Sequence, residues 1–122
     1  SIHTSNDSPS DSHLFNLCAR SIKVLNNPFP CKIRMIGVAS YNILLVATGA
    51  ALGGVEATPK IWDIAAVYAI LQAAGGVFVS LESTPIFPLK VGHDYGNRSF
   101  PTLAVSRHEL VSVFTPLVRK AI

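Results

Sequence analysis

Three positions carry the side chains and backbone groups most capable of chemistry. Asp63 stands in Lys60-Ile61-Trp62-Asp63-Ile64-Ala65-Ala66, at the mouth of a small-residue helix. A carboxylate there either caps the free amides of the first turn or holds a cation. Glu56 lies seven residues earlier on a strand-like run and is the only acid between Asp11 and Asp63. It reads either as a solvent-facing strand residue or as a hydrogen-bond acceptor for ligand hydroxyls. Gly37-Val38-Ala39-Ser40 leads from a strand into a helix. It is either a plain tight turn or a place where the backbone amides of Val38 and Ala39 meet a ligand oxygen. A hard cation such as Mg²⁺ is bound through one or two carboxylates together with water and substrate phosphate. Asp63 has no partner carboxylate at suitable spacing, so any further ligands come from outside this chain.

Other candidates carry less. His93-Asp94-Tyr95 occurs in a long loop, with no Ser or Cys nucleophile motif to serve. Lys60 reads as solvated and Trp62 as a packing residue beneath the turn. Cys18 and Cys31 are twelve residues apart, form no CxxC, and read as ordinary cysteines with a single disulfide left open. With the histidines scattered, zinc spacing is absent.

The elements that must position these groups alternate. Ser8-Pro9-Ser10-Asp11 has the form of a helix start, followed by Leu14, Leu17, Cys18, Ile22 and Leu25 at helical spacing and stopped by Asn26-Asn27-Pro28. Strands are expected at 31–36, 54–58, 77–81 and 102–105. Helices are expected at 40–48 and 63–74, the second apolar nearly all round and so buried on both sides. Residues 82–99 are a loop rich in Pro, Gly, Asn and Asp, long enough to be functional or mobile. Ser106-Arg107-His108-Glu109 reads as a capping box before a closing helix with the stripe Leu110, Val113, Phe114 and Leu117, kinked by Pro116. Strands alternating with helices define an α/β domain, a sheet with helices on both faces.

Composition narrows the class further. The 122 residues make one domain, 49% hydrophobic and only 14% charged, with net charge +3. An average domain carries about 25% charged residues. The two longest weakly polar runs, 43–55 and 64–81, are short or broken by Gly and Gln, so neither spans a membrane. The expected explanation is a face covered by a missing partner domain or subunit. Scattered basic residues without interleaved aromatics argue against nucleic acid. The start Ser1-Ile2-His3 carries no Met and no signal peptide, which suits a cut or truncated product of a cytoplasmic protein.

In order and spacing, Arg34, Gly37-Val38-Ala39-Ser40, Val46-Ala47-Thr48-Gly49, Glu56, Trp62-Asp63-Ile64-Ala65-Ala66 and Gln72-Ala73-Ala74-Gly75-Gly76 form one pattern. It resembles the carboxy-terminal signature of the inositol monophosphatase family, the Mg²⁺-dependent phosphomonoesterases. The resemblance implies a mixed sheet of about five strands, half of a layered sugar-phosphatase-like sandwich. It implies that residues 1–122 are the carboxy-terminal domain, with the amino-terminal metal-binding domain absent and a homodimer when full length. It makes Asp63 a Mg²⁺ ligand that touches substrate, and Glu56 with Val38 and Ala39 contacts for a polyol or sugar phosphate. The complete enzyme would use two or three Mg²⁺ ions, and this chain alone would be inactive. Val38 stands where the family has a hydroxyl residue, and Leu52 where it has an acid or polar one. The rival reading is a non-catalytic binding or assembly domain that keeps the fold.

Overall fold

A computed structural model describes residues 1–18, 20–21, 29–82 and 84–118. Five strands and three helices occur in the order β1 (Leu14–Leu17), β2 (Lys32–Met35), α1 (Ala39–Ala47), β3 (Gly53–Glu56), α2 (Ile61–Ala73), β4 (Val77–Ser80), β5 (Thr102–Val105) and α3 (Glu109–Val118). The strands form one mixed sheet, ordered β2-β1-β3-β5-β4. β1 runs parallel to both β2 and β3, while β5 is antiparallel to β3 and β4.

Side-chain alternation divides the core into two layers. Phe15, Leu17, Val55, Leu103 and Val105 point to one face and meet Leu110, Phe114 and Val118 of α3. The rings of Phe15 and Phe114 lie 4.8 Å apart, and Phe29 joins them. On the other face α1 and α2 pack together, with Ile43, Val46, Ile64, Val67 and Leu71 over Ala104. The expected sheet with helices on both faces is therefore present.

Four local expectations are corrected. Leu14–Leu17 is a strand, not part of a helix. Leu14, Leu17 and Cys18 do recur at helical spacing, but Leu-Phe-Asn-Leu is paired on both edges, with Phe15 and Leu17 in one core layer and Leu14 in the other, and that pairing decides the conformation. The preceding Ser10 makes a turn, its hydroxyl accepting from Ser12 N at 3.1 Å. The remainder of the expected helix, around Ile22, Leu25 and the Asn26-Asn27-Pro28 stop, lies outside the described residues. Helix α2 is not buried on both sides: Ile64, Val67 and Leu71 face the core, while Ala66, Ala69 and Ile70 are exposed. Trp62 does not pack beneath the turn but stands 67% exposed. The capping box at α3 does not form. The Ser106 hydroxyl is buried without a partner, and the Glu109 carboxylate pairs instead with Arg107 Nε at 3.0 Å.

One glycine keeps the centre of the sheet close-packed beneath α1. A Cβ on Gly54 would stand 3.3 Å from the Asn16 carbonyl and 3.8 Å from that of Asn42. The tight contact is with the neighbouring strand β1, while α1 rests at ordinary van der Waals distance above it.

The two-layer core makes a direct prediction. Phe114→Ala removes the fully buried ring that joins α3 to β1 and should destabilise the fold by about 3–5 kcal/mol. Val113→Ala, at an exposed position of the same helix, should change it by less than about 0.5 kcal/mol. Denaturant midpoints of the two variants measure the difference.

Candidate active site

A cleft of about 480 Å³ opens at the carboxy-terminal end of β3, between the turn before α1 and the start of α2. Its walls include Val38, Ala39, Glu56 and Asp63, so the structure brings together all four of the site residues expected from the sequence. Each reaches the cleft by a different local device.

Gly37 turns the chain out of β2 with φ +87°, a left-handed backbone that other residues rarely adopt. Val38 then lies extended just before α1 and makes no side-chain cap. Its carbonyl accepts from Asn42 N at 3.0 Å, the first helical hydrogen bond. The amides that open α1 have no acceptor within the helix. Val38 supplies no hydroxyl to the cleft, and its side chain is exposed. Leu52, the other departure from the family pattern, is buried in the α3-side core.

Asp63 is the third residue of α2, not its first. Its Oδ2 accepts from Lys60 N at 2.8 Å, so the carboxylate does cap the start of the helix. It is half-buried at the cleft wall. The capping bond uses one oxygen and leaves the carboxylate capacity for a second partner.

Glu56 is not a solvent-facing strand residue: it is only 2% exposed. Its Oε2 accepts from Cys18 N at 3.1 Å and from Asn42 Nδ2 at 3.3 Å. Asn16 Nδ2 in turn donates to the Asn42 carbonyl at 3.3 Å. Burial pushes the Glu56 carboxyl above its ordinary range; the bonds from Asn42 and Cys18 oppose that shift, and the nearby Asp63 charge adds to it. Ser21, fully buried, ties down the adjoining segment by accepting from Ala57 N at 3.0 Å.

Sequence reasoning overlooked Asn16, Asn42 and Cys18. The first two left a signal: each is a polar residue inside an apolar run, and a buried amide of that kind needs partners. Arg20 was also overlooked, and it brings a positive charge to the cleft wall. His93, by contrast, lines a different cavity. Both thiols are free, with Cys18 half-buried at the cleft and Cys31 in the core.

As a metal site the cleft offers only a part. Among the described residues, no three His, Cys, Asp or Glu side chains converge on one point. Of the two carboxylates on the cleft wall, Asp63 is the less buried, and Glu56 receives the bonds from Cys18 and Asn42 on Oε2.

Residues 2–112 match the sequence profile of the Inositol monophosphatase family, and the chain belongs to that family. No curated protein matches it by sequence. Among solved structures it is similar to the inositol monophosphatase from Anabaena (Nostoc) sp. PCC 7120, at 23% identity and TM-score 0.69, covering 99% of this chain and 48% of that one. It is similar to the extragenic suppressor protein suhB from Bartonella henselae, at 21% identity and TM-score 0.72, covering 98% and 47%. The Thermotoga maritima IMPase gives 18% identity and TM-score 0.71, covering 98% and 45%. The fold is thus that of these proteins, and the chain spans about half of their length. No helix among the described residues is long and apolar enough to cross a membrane.

The raised Glu56 carboxyl has a stability consequence. Because the folded state holds this proton more tightly than the unfolded chain, its contribution is present below about pH 4.5, the ordinary value. It is lost as pH rises through the higher folded value. Glu56→Gln keeps an acceptor for Asn42 and Cys18 but does not ionise. Relative to the parent, the variant should gain melting temperature between pH 4.5 and neutrality, with no comparable gain at lower pH. A pH series of thermal melts checks this.

Proposed function

We propose that this chain is the carboxy-terminal domain of a Mg²⁺-dependent phosphomonoesterase acting on an inositol phosphate or a related polyol or sugar phosphate. The observation that carries the reading is the meeting of Asp63, Glu56 and the Val38–Ala39 turn in one cleft, within a member of the inositol monophosphatase family. In this reading Asp63 would hold one edge of the metal cluster, and Mg²⁺ bound there would supply activation of water and charge stabilisation of the transferred phosphoryl group. The other ligands come from an amino-terminal domain outside this chain. Glu56 stands at the floor as an anionic acceptor for substrate hydroxyls, pre-set by Asn42 and Cys18. The amides of Val38 and Ala39 contact the same substrate. A second phosphate beside Glu56 and Asp63 would be repelled, which favours a polyol monophosphate over a bisphosphate.

The surface beside the cleft supports the missing domain. Met35, Ile36, Val38, Tyr41 and Trp62 are large apolar side chains left exposed on β2 and at the starts of α1 and α2. Exposed apolar side chains in number are what a surface covered by a partner leaves behind. β2 is also an edge strand of the sheet. The full-length protein in this reading is a cytoplasmic homodimer, and the 122-residue chain by itself does not turn over substrate.

In the full-length protein, Asp63→Asn should lower kcat by about a hundredfold or more and weaken metal binding. Loss of a helix cap alone would cost only about 0.5–2 kcal/mol of stability and leave turnover intact. Glu56→Ala should raise KM for a polyol phosphate about ten- to a hundredfold, with far less effect on an aryl phosphate that has no such hydroxyls. A full-length protein that binds polyol phosphates but hydrolyses none, with or without Mg²⁺, would establish the alternative, a binding or assembly domain that retains the fold.

A further inference from the structure

A second cavity, of opposite electrostatic character, lies beside the first. It has a volume of about 230 Å³, is open to solvent, and is formed by the connection between β4 and β5. The two share a wall: Phe100 lines the second cavity, and its amide donates to the carbonyl of Pro59, which lines the first, at 2.9 Å. Where the first presents Glu56 and Asp63 against the single cation Arg20, the second presents Lys90, His93 and Arg98, with Tyr95, Phe100 and Ile86 as ring and apolar surface.

Among its described residues the loop that builds this cavity has no helix or strand, yet it is cross-braced. Buried Ile86 and Phe100 anchor its two ends. Lys90 N donates to Tyr95 Oη at 2.8 Å. The Asp94 carboxylate accepts from Gly96 N at 2.8 Å and from Asn97 Nδ2 at 2.6 Å, so this acid is engaged within its own turn. Arg98 sits over the Phe100 ring at 4.7 Å and pairs with Glu82. Tyr95 packs near Phe100, ring centroids 6.1 Å apart, and His93 stacks on Tyr95. A long loop closed by its own side chains in this way is a form that proteins commonly use for function.

We propose that this cavity binds a small organic anion, an oxyanion head attached to a flat ring. The cavity is lined by no carboxylate. Glu82 takes part of the Arg98 charge, but a guanidinium has five donors and one carboxylate leaves others over. Lys90 has no carboxylate partner among the described ion pairs. These donors, with His93, recognise the head, and the half-buried Tyr95 ring takes the flat body. At about 230 Å³ the space suits a ligand smaller than the drug-sized molecules that fill about 300–1,000 Å³. The acidic neighbouring cleft would repel the same ligand unless a metal were bound there.

The test uses the full-length protein in EDTA with phenylphosphonate, whose carbon–phosphorus bond resists hydrolysis. Without metal, the result does not depend on whether the acidic cleft is a phosphatase site. Saturable one-to-one binding is expected in an NMR titration, with the Tyr95 ring signals moving. Lys90→Ala and Arg98→Gln should each weaken it by about tenfold or more. Methylphosphonate, lacking the ring, should bind about three- to tenfold more weakly. Asp63→Asn should leave binding unchanged. The proposal is overturned if phenylphosphonate fails to saturate, if Lys90→Ala binds like the parent, or if Asp63→Asn alters affinity. Because Arg98 also braces the loop, the Lys90 variant decides the matter should Arg98→Gln disturb the fold.

Discussion

The organisation of the candidate site rests on keeping one carboxylate, Glu56, inside the protein. A charge out of water is costly unless hydrogen bonds compensate it. Here the compensation comes from Asn42 on α1 and from the backbone of Cys18 just after β1. Those bonds tie the end of β3 to both neighbouring elements. Asn16 extends the tie by donating to the Asn42 carbonyl. The position of α1, and with it the Val38–Ala39 turn, therefore follows from the same network that holds the carboxylate.

Around this centre the fold separates its tasks. The α3 face of the sheet is an apolar layer with aromatic packing across Phe15, Phe29 and Phe114. The α1–α2 face carries the polar network at one end. Asp63 is fixed by its capping bond to Lys60 N, which orients the carboxylate at the cleft wall without using both of its oxygens. Stability and preorganisation thus come from the same hydrogen bond. Arg20 on the opposing segment adds a positive group to a wall that is otherwise acidic.

Much of this was legible in the sequence, for physical reasons. The α2 region, β4 and β5 are bounded by Gly or by strong changes of period, so their type and approximate ends could be read. The Trp-Asp and Gly-Gly segments carried the family resemblance, and with it Asp63 and Glu56. β1 was not legible. Four residues of Leu-Phe-Asn-Leu fit a helical stripe as well as a strand, and only pairing with β2 and β3 decides between them. Nor could the sequence show that Glu56 is buried, because its partners come from positions 14 and 38 residues away. Trp62 was misread for the opposite reason: a large aromatic in an apolar stretch suggests a core, yet its side chain stands exposed in the first turn of α2. The acceptor geometry at Ser106 failed similarly, since Arg107 competes for the Glu109 carboxylate.

The central claim is that the Asp63 carboxylate contributes to a Mg²⁺ site completed by residues outside this chain. A crystal structure of the full-length protein with Mg²⁺ and inorganic phosphate tests it most directly. The account predicts an Asp63 oxygen about 2.0–2.1 Å from a metal ion, with Glu56 still bonded to Asn42 and Cys18 beneath it. A fully occupied metal and phosphate site elsewhere, with Asp63 bonded only to Lys60 N, would contradict it.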